Sequence, residues 1–247
     1  MSDQDALTPR VFLVRHGETE WAKSGRYTGT TDIDLSPTGV TQVSSAAATT
    51  VGAGKLLDPT RLAHVFVSPR KRARRTFELL IADTIKDRIV TFTDDITEWN
   101  YGDYEGLKSN EVRKLRKDRG LDTEREWSIW ADGCEGGESM QQVRQRLDRL
   151  ISRIRDIQKP SMKGEKPADV LLVAHGLILR CFVKRWLGLE VDSNLQMMLP
   201  PGGIAVLRYV GFCRFDTRKI SADVTRHGSY KNNNINKPAF HVGIALP

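Results

Sequence analysis

Cysteine is scarce in this chain. Cys134, Cys181 and Cys213 are an odd number with no Cys-x-x-Cys spacing, which argues against a disulfide framework and against a zinc site and leaves them as reduced thiols. Long apolar runs are missing too. No stretch approaches the ~20 residues needed to span a bilayer, and Met1 to Arg10 lacks the basic start and apolar segment of a signal peptide, so no membrane partner is expected and a cytoplasmic address follows. Aromatic residues make up only 7% and are not interleaved with the basic clusters, as stacking platforms for nucleic acid would be. Internal repeats and coiled-coil heptads are absent.

What is present has a globular balance, with 39% hydrophobic and 28% charged residues. A chain of 247 residues buries one substantial core, so a single domain over 1–247 is expected, with residues 1–9 and about 218–247 as tails. The net charge of +7 fits nucleic acid or a site for an anionic small molecule, and the placement of the basic residues decides between them.

Apolar runs that end at polar chemistry organise the chain. Val11 to Val14 predicts a buried strand that stops at Arg15-His16-Gly17. Ser36-Pro37 predicts an N-cap followed by proline at the first helical position, with Val40, Val43 and Ala47 at helical spacing. Val65 to Val67 predicts a second strand, Ser68-Pro69 a cap, and Arg72 to about Leu80 a helix. Ile89 to Phe92 is a short strand, and residues 94–108 form an aperiodic loop holding Glu98, Tyr101 and Glu105. A short helix from about Ser109 to Lys117 comes next. Ser139 and Gln142 form a capping-box pattern ahead of Val143, Leu147, Leu150, Ile151, Ile154 and Ile157, the most regular helix face in the chain. Val170 to Ala174 predicts a buried strand ending at His175-Gly176, Leu177 to Leu187 its following helix, and Ile204 to Val210 a last strand. The segment beyond Thr217 carries no signal. Alternating strands and helices argue for a largely parallel sheet covered on both faces, with ligands at the carboxyl ends of the strands.

His16 and His175 hold equivalent positions, each after a buried strand and before a glycine, which brings two imidazoles to the same edge of the sheet. One such histidine alone reads as a satisfied strand cap, whereas the pair, with glycines allowing close backbone approach, favours function. No His-x-x-x-His spacing or clustered acidic pair accompanies them, so neither a metal nor another cofactor is expected. Arginine accompanies them instead. Arg15 adjoins His16, and Arg70, Lys71, Arg72, Arg74 and Arg75 crowd a helix N-terminus, where cations are unfavourable unless an anion sits nearby. A solvated basic face accounts for most of that cluster, but Arg15 and Arg72 suit the planar contacts a phosphoryl group requires. A neutral imidazole is a nucleophile towards phosphorus, and neighbouring arginines keep it neutral. Departure of an alkoxide needs a proton, which Glu98 on the facing loop is placed to supply.

These residues resemble those of a known family. Val14-Arg15-His16-Gly17-Glu18-Thr19 is similar to the nucleophile signature of the histidine phosphatase, or phosphoglycerate mutase-like, superfamily. Ser68-Pro69-Arg70-Lys71-Arg72-Ala73 with Thr76 resembles its second phosphate-binding motif. Glu98, with Tyr101-Gly102 and Glu105-Gly106, is similar to its proton-donor loop, and Ala174-His175-Gly176 to its second histidine. The resemblance implies a three-layer α/β/α sandwich with a mostly parallel sheet and no metal. It also implies His16 as nucleophile, Arg15, Arg72 and His175 holding the phosphoryl group, and Glu98 as acid and then base. Within the superfamily, residues 23–29, 98–106 and 130–135 resemble the fungal sedoheptulose-1,7-bisphosphatases. That implies a phosphorylated sugar as partner and Tyr27, Thr28, Tyr101 and Arg180 at the sugar end of the pocket, Arg180 being available for a second phosphate. Two features depart from relatives. Gly188 to Gly203, where the pocket would be completed, is shorter than in those bisphosphatases, and Ala22 stands where the mutases place asparagine. A mutase, a broad-specificity phosphomonoesterase and a non-catalytic phosphate-binding module remain the alternatives. A homo-oligomer is compatible with the sequence.

Overall fold

The computed structural model describes residues 8–85 and 89–209, and the backbone of 239–241. Six strands form one sheet in the order β3-β2-β4-β1-β5-β6: β1 Arg10–Arg15, β2 Leu62–Val67, β3 Val90–Phe92, β4 Asp169–Ala174, β5 Ile204–Arg208 and β6 Ala239–His241. The first four run parallel, while β5 is antiparallel to β1 and to β6. This mixed, mostly parallel sheet carries helices on both faces.

Strand periodicity explains the two faces, because successive side chains point to opposite sides. Val11, Leu13, Leu172 and Ala174 pack into one cluster with α6 (Met140–Gln158) and α7 (Gly176–Trp186). Phe12, Val14, Leu171 and Val173 pack into the other with Val43 of α2 (Pro37–Thr50) and Ala73, Phe77 and Leu80 of α3 (Lys71–Leu80). Three further α-helices are α1 Glu20–Ser24, α4 Ser109–Asp118 and α5 Ile129–Asp132. The expected caps form at α2, where Ser36 Oγ accepts from Gly39 N, and at α6, where Ser139 and Gln142 close a capping box.

Two expectations need correction. Ser68 does not cap α3, whose N-cap is Arg70 with no side-chain bond; the Ser68 hydroxyl is engaged by His175 instead. In the segment assigned as a C-terminal tail, Ala239–His241 adds an edge strand to β5, held by backbone pairing that leaves no mark on composition. The rest of that tail, and residues 1–7, lie outside the described residues. Cys134 and Cys181 are free and buried, and burial pushes both thiols up to about 12. Neither is a thiolate at neutral pH, and Cys213 lies outside the described residues. Among those residues no helix is long and apolar enough to cross a membrane.

Candidate functional site

Strand register assembles the site. In the parallel β1·β4 pair Arg15 stands opposite Ala174, so His16 and His175, one residue further on, leave the sheet side by side. Their ring centroids are 5.1 Å apart in an edge-to-face arrangement. Val67 of β2 pairs with Val173, which brings Ser68 beside the same turn. The glycines after each histidine make the close approach feasible. A Cβ on Gly17 would come within 2.6 Å of the Gly39 carbonyl, and one on Gly176 within 3.0 Å of Arg15 Cζ and Nε. Gly176→Ala is therefore expected to shift the Arg15 guanidinium by a few tenths of an ångström and lower kcat/KM by about 3- to 10-fold, a fraction of what a full ångström of misplacement costs. Steady-state kinetics beside a thermal melt check this, and an unchanged rate in a folded variant contradicts it.

The His16 ring is prepared for one state. Its Nδ1 lies 2.7 Å from the carbonyl oxygen of Gly17, and that oxygen only accepts, so the proton sits on Nδ1 and Nε2 keeps its lone pair. Burial first, then the positive charge of Arg72 and of Arg15, lowers the imidazole pKa to about 3 against the hydrogen bond to Gly17, which raises it. The neutral ring was expected from the arginines; desolvation outweighs them.

Arg72 and His175 are fully buried against this ring. Arg72 Nε donates to His175 Nδ1 at 3.1 Å, Nη1 to the Thr31 carbonyl at 2.9 Å, and Nη2 to the carbonyls of Thr28 and Gly29 at 2.9 and 3.1 Å. An acceptor at Nδ1 leaves the His175 proton on Nε2, which donates to Ser68 Oγ at 2.7 Å. Burial and the Arg72 charge hold His175 well below the usual histidine range. The loop that receives Arg72 is itself fastened, because the Glu105 carboxylate accepts from the amides of Gly29 and Thr31. At the start of α3, where the basic cluster pointed to a bound phosphate, a carboxylate of the protein itself is found: Asp32 Oδ1 accepts from Lys71 N at 2.7 Å.

A cavity of about 380 Å³ opens over His16, within the range of small-molecule sites. Arg15, Glu98, Tyr27, Thr28, Tyr101 and Arg180 all line it. Seven of the nine anticipated site residues thus share one space, and the other two, Arg72 and His175, lie behind His16. Glu98 is held at the N-terminus of α7. Its Oε1 accepts from the amides of Trp99 and Ile178 and its Oε2 from that of Leu177, an arrangement the helix dipole favours for a carboxylate. Arg15 Nη1 donates to the Leu199 carbonyl, while Arg15 Nε and Arg180 Nε are buried without a partner among the described residues. Two guanidinium groups at one cavity with donors unspent suit an anionic ligand.

Sequence reasoning missed part of the wall. Arg26, Ile129 and Trp130 line the cavity, and Lys184 Nζ lies 3.9 Å from the Trp130 ring centroid. Residues 188–203 contribute no lining residue; their part is to fasten Arg15 at Leu199 and the His16 carbonyl at Gly202 N. The wall expected from that segment comes from α5, whose tryptophan was visible but unassigned. Among the described residues there is no group of three or more His, Cys, Asp or Glu side chains placed to hold a metal.

Comparison with known proteins agrees with this geometry. The yeast Saccharomyces cerevisiae sedoheptulose 1,7-bisphosphatase is 44% identical over 195 residues, 77% of this chain and 72% of that protein. An acid phosphatase of Mycobacterium tuberculosis is 33% identical over 207 residues, 84% and 87% of the two chains. A 2,3-bisphosphoglycerate-dependent phosphoglycerate mutase of Cytophaga hutchinsonii is 30% identical over 175 residues, 71% and 76%. Among solved structures, an open reading frame product of Mycobacterium tuberculosis superposes with a TM-score of 0.66 at 31% identity, covering 84% of this chain and 93% of that one. Residues 11–215 match the histidine phosphatase superfamily, branch 1. With its paired histidines on adjacent strand ends, this chain belongs to the histidine phosphatase superfamily and is one of its enzymes.

Proposed function

We propose that the protein is a phosphatase of phosphorylated sugars, with a preference for a sugar bisphosphate such as sedoheptulose 1,7-bisphosphate, working through a phosphohistidine on His16. One observation carries the reading: a neutral imidazole, its Nδ1 spent on its own chain, shares a cavity with a carboxylic side chain and three guanidinium groups. The likeness to the yeast bisphosphatase supports the choice of substrate.

The chemistry is written from these residues. His16 Nε2 forms a bond to phosphorus as the ester P–O bond breaks, and Glu98, which takes up a proton when the anionic ester binds beside it, gives that proton to the departing sugar oxygen. The Glu98 carboxylate then takes a proton from the water that attacks phosphorus, the P–N bond breaks, and phosphate and free imidazole are released. Arg15 contacts the phosphoryl oxygens, Arg72 supplies fixed positive charge behind them, and the neutral His175 gives the site its shape beneath. The reaction as written calls on no metal. Tyr27 and Tyr101, whose rings lie 4.7 Å apart, form with Thr28 the surface for the sugar, and Arg180 receives the second phosphate.

Phosphate release from sedoheptulose 1,7-bisphosphate, fructose 1,6-bisphosphate, their monophosphates and phosphoglycerates tests the reading in one panel. Bisphosphates are expected to give the highest kcat/KM. Arg180→Gln is expected to remove that preference by about 10- to 100-fold while sparing monophosphates, the scale of one charge-assisted hydrogen bond. Interconversion of 3- and 2-phosphoglycerate without phosphate release overturns the phosphatase in favour of a mutase, and equal rates on all esters favour a broad phosphomonoesterase.

A further inference from the structure

Glu98 rides on a segment, residues 95–100, whose only regular structure is the end of a 3₁₀ turn at Asp94–Ile96. Such a stretch has backbone groups that no ladder satisfies, and a donor must come from elsewhere. It comes from one ion pair, formed by a buried arginine and a half-buried glutamate. Arg146, on α6, grips Glu138 with both arms of its fork, Nε to Oε1 at 2.9 Å and Nη2 to Oε2 at 3.0 Å. The same guanidinium donates from Nη1 to the carbonyls of Asp95 and Thr97 at 3.0 and 2.8 Å, and from Nη2 to that of Glu98 at 3.5 Å. Glu138 completes the grip downstream. Its Oε2 accepts from Asn100 N at 2.9 Å, its carbonyl accepts from Trp99 Nε1 at 2.9 Å, and its amide donates to Asn100 O at 2.9 Å. Neither residue lines the cavity.

We propose that Arg146 and Glu138 are positioning residues for Glu98, an ion pair that holds the backbone on both sides of the carboxyl group at the place from which it passes its proton. The inference rests on the reading above in which Glu98 is the proton donor. Only a guanidinium meets the demand, because a planar fork serves a carboxylate and several carbonyls at once, whereas an ammonium offers donors from a single point. Arg146→Lys keeps the charge and loses the fork. The tip of Glu98 is tied to α7 and its backbone to α6, so loosening the backbone tie changes the angle and reach of the carboxyl group without emptying the cavity.

A purely structural pair affects every substrate alike, whereas a pair that places the acid affects only substrates that need one. We therefore compare kcat/KM, which reports phosphorylation of the enzyme, for an alkyl sugar phosphate and for 4-nitrophenyl phosphate, whose phenolate leaves without a proton. Arg146→Lys and Glu138→Gln are expected to lower the alkyl value about 10- to 100-fold and the aryl value by less than about threefold. Glu98→Gln should show the same selectivity more strongly, and adding Arg146→Lys to it should cost little more, since the two act through one group. Equal loss on both esters, or no loss on either, overturns the inference. If Glu98→Gln itself does not distinguish the esters, the proton-donor reading fails instead, which is a separable result. Thermal melts accompany each variant, and should Arg146→Lys fail to fold, Glu138→Gln, which keeps Arg146, carries the test.

Discussion

Replacing His16 by alanine is expected to lower kcat/KM by roughly 10⁴-fold or more, the scale on which removal of a nucleophile acts, and to abolish the acid-labile phosphoprotein trapped from the wild type during turnover. Residual activity with an intact phosphoprotein would show that phosphorus is attacked from elsewhere. The same ring makes a prediction about pH. With its pKa pushed down to about 3, His16 stays neutral across the range where an ordinary histidine takes up a proton, so its NMR signals in the free enzyme should not titrate between pH 8 and pH 5. The sign for stability follows. The unfolded chain binds a proton at this histidine below about 6.5 and the folded one does not until about 3, so stability declines as pH falls through that window. His175, also held low, adds to the decline. Thermal melts of wild type should therefore fall on acidification, and those of His16→Ala should fall less steeply.

Much of this site is readable from the chain because it is built from repeats of one local grammar. An apolar run followed by His-Gly occurs at Val14 and again at Ala174, and parallel pairing of those runs leaves little freedom in where the two histidines stand. Local caps were equally visible, since Ser36 and Ser139 act within three residues of themselves. Contacts that cross the chain left no such trace. Ser68 reads as a helix cap because serine before proline usually is one, yet it stands 107 residues from His175 and is claimed by it. Arg146 stands at the flank of the apolar face of α6, and nothing in that periodicity shows that carbonyls 48 to 51 residues upstream lack donors. Arg72 was identified by its neighbours, but the protein acceptors that occupy its donors, Thr28, Gly29 and Thr31, come from a loop whose path no hydrophobic pattern sets. The same limit explains the order of causes at His16. Charge is countable in a sequence, while burial, the larger cause, exists only after packing.

Glu98→Gln is expected to lower kcat/KM for sugar phosphates by about 10²- to 10⁴-fold, the range associated with a general acid, without raising KM. The chemical part of the loss is the missing proton, because an amide does not deliver one to a departing alkoxide. A structural part adds to it. The native carboxyl group accepts from three backbone amides, and a glutamine has only one acceptor atom, so either its Nε2 faces the amide of Leu177 or it faces those of Trp99 and Ile178, donor against donor. Binding should respond in the opposite direction. Glu98 exerts the largest opposing charge on the half-buried Arg15 and the buried Arg72, and its neutralisation leaves their charge less opposed, so inorganic phosphate should inhibit the variant at least as strongly as the wild type. A low kcat with a phosphate affinity equal to or tighter than that of wild type supports the assignment. A raised KM with unchanged kcat would mean that the carboxylate serves to bind the sugar, and the proton would then have to come from another lining group, of which Tyr101 is the nearest in kind but is held by burial well above its usual range.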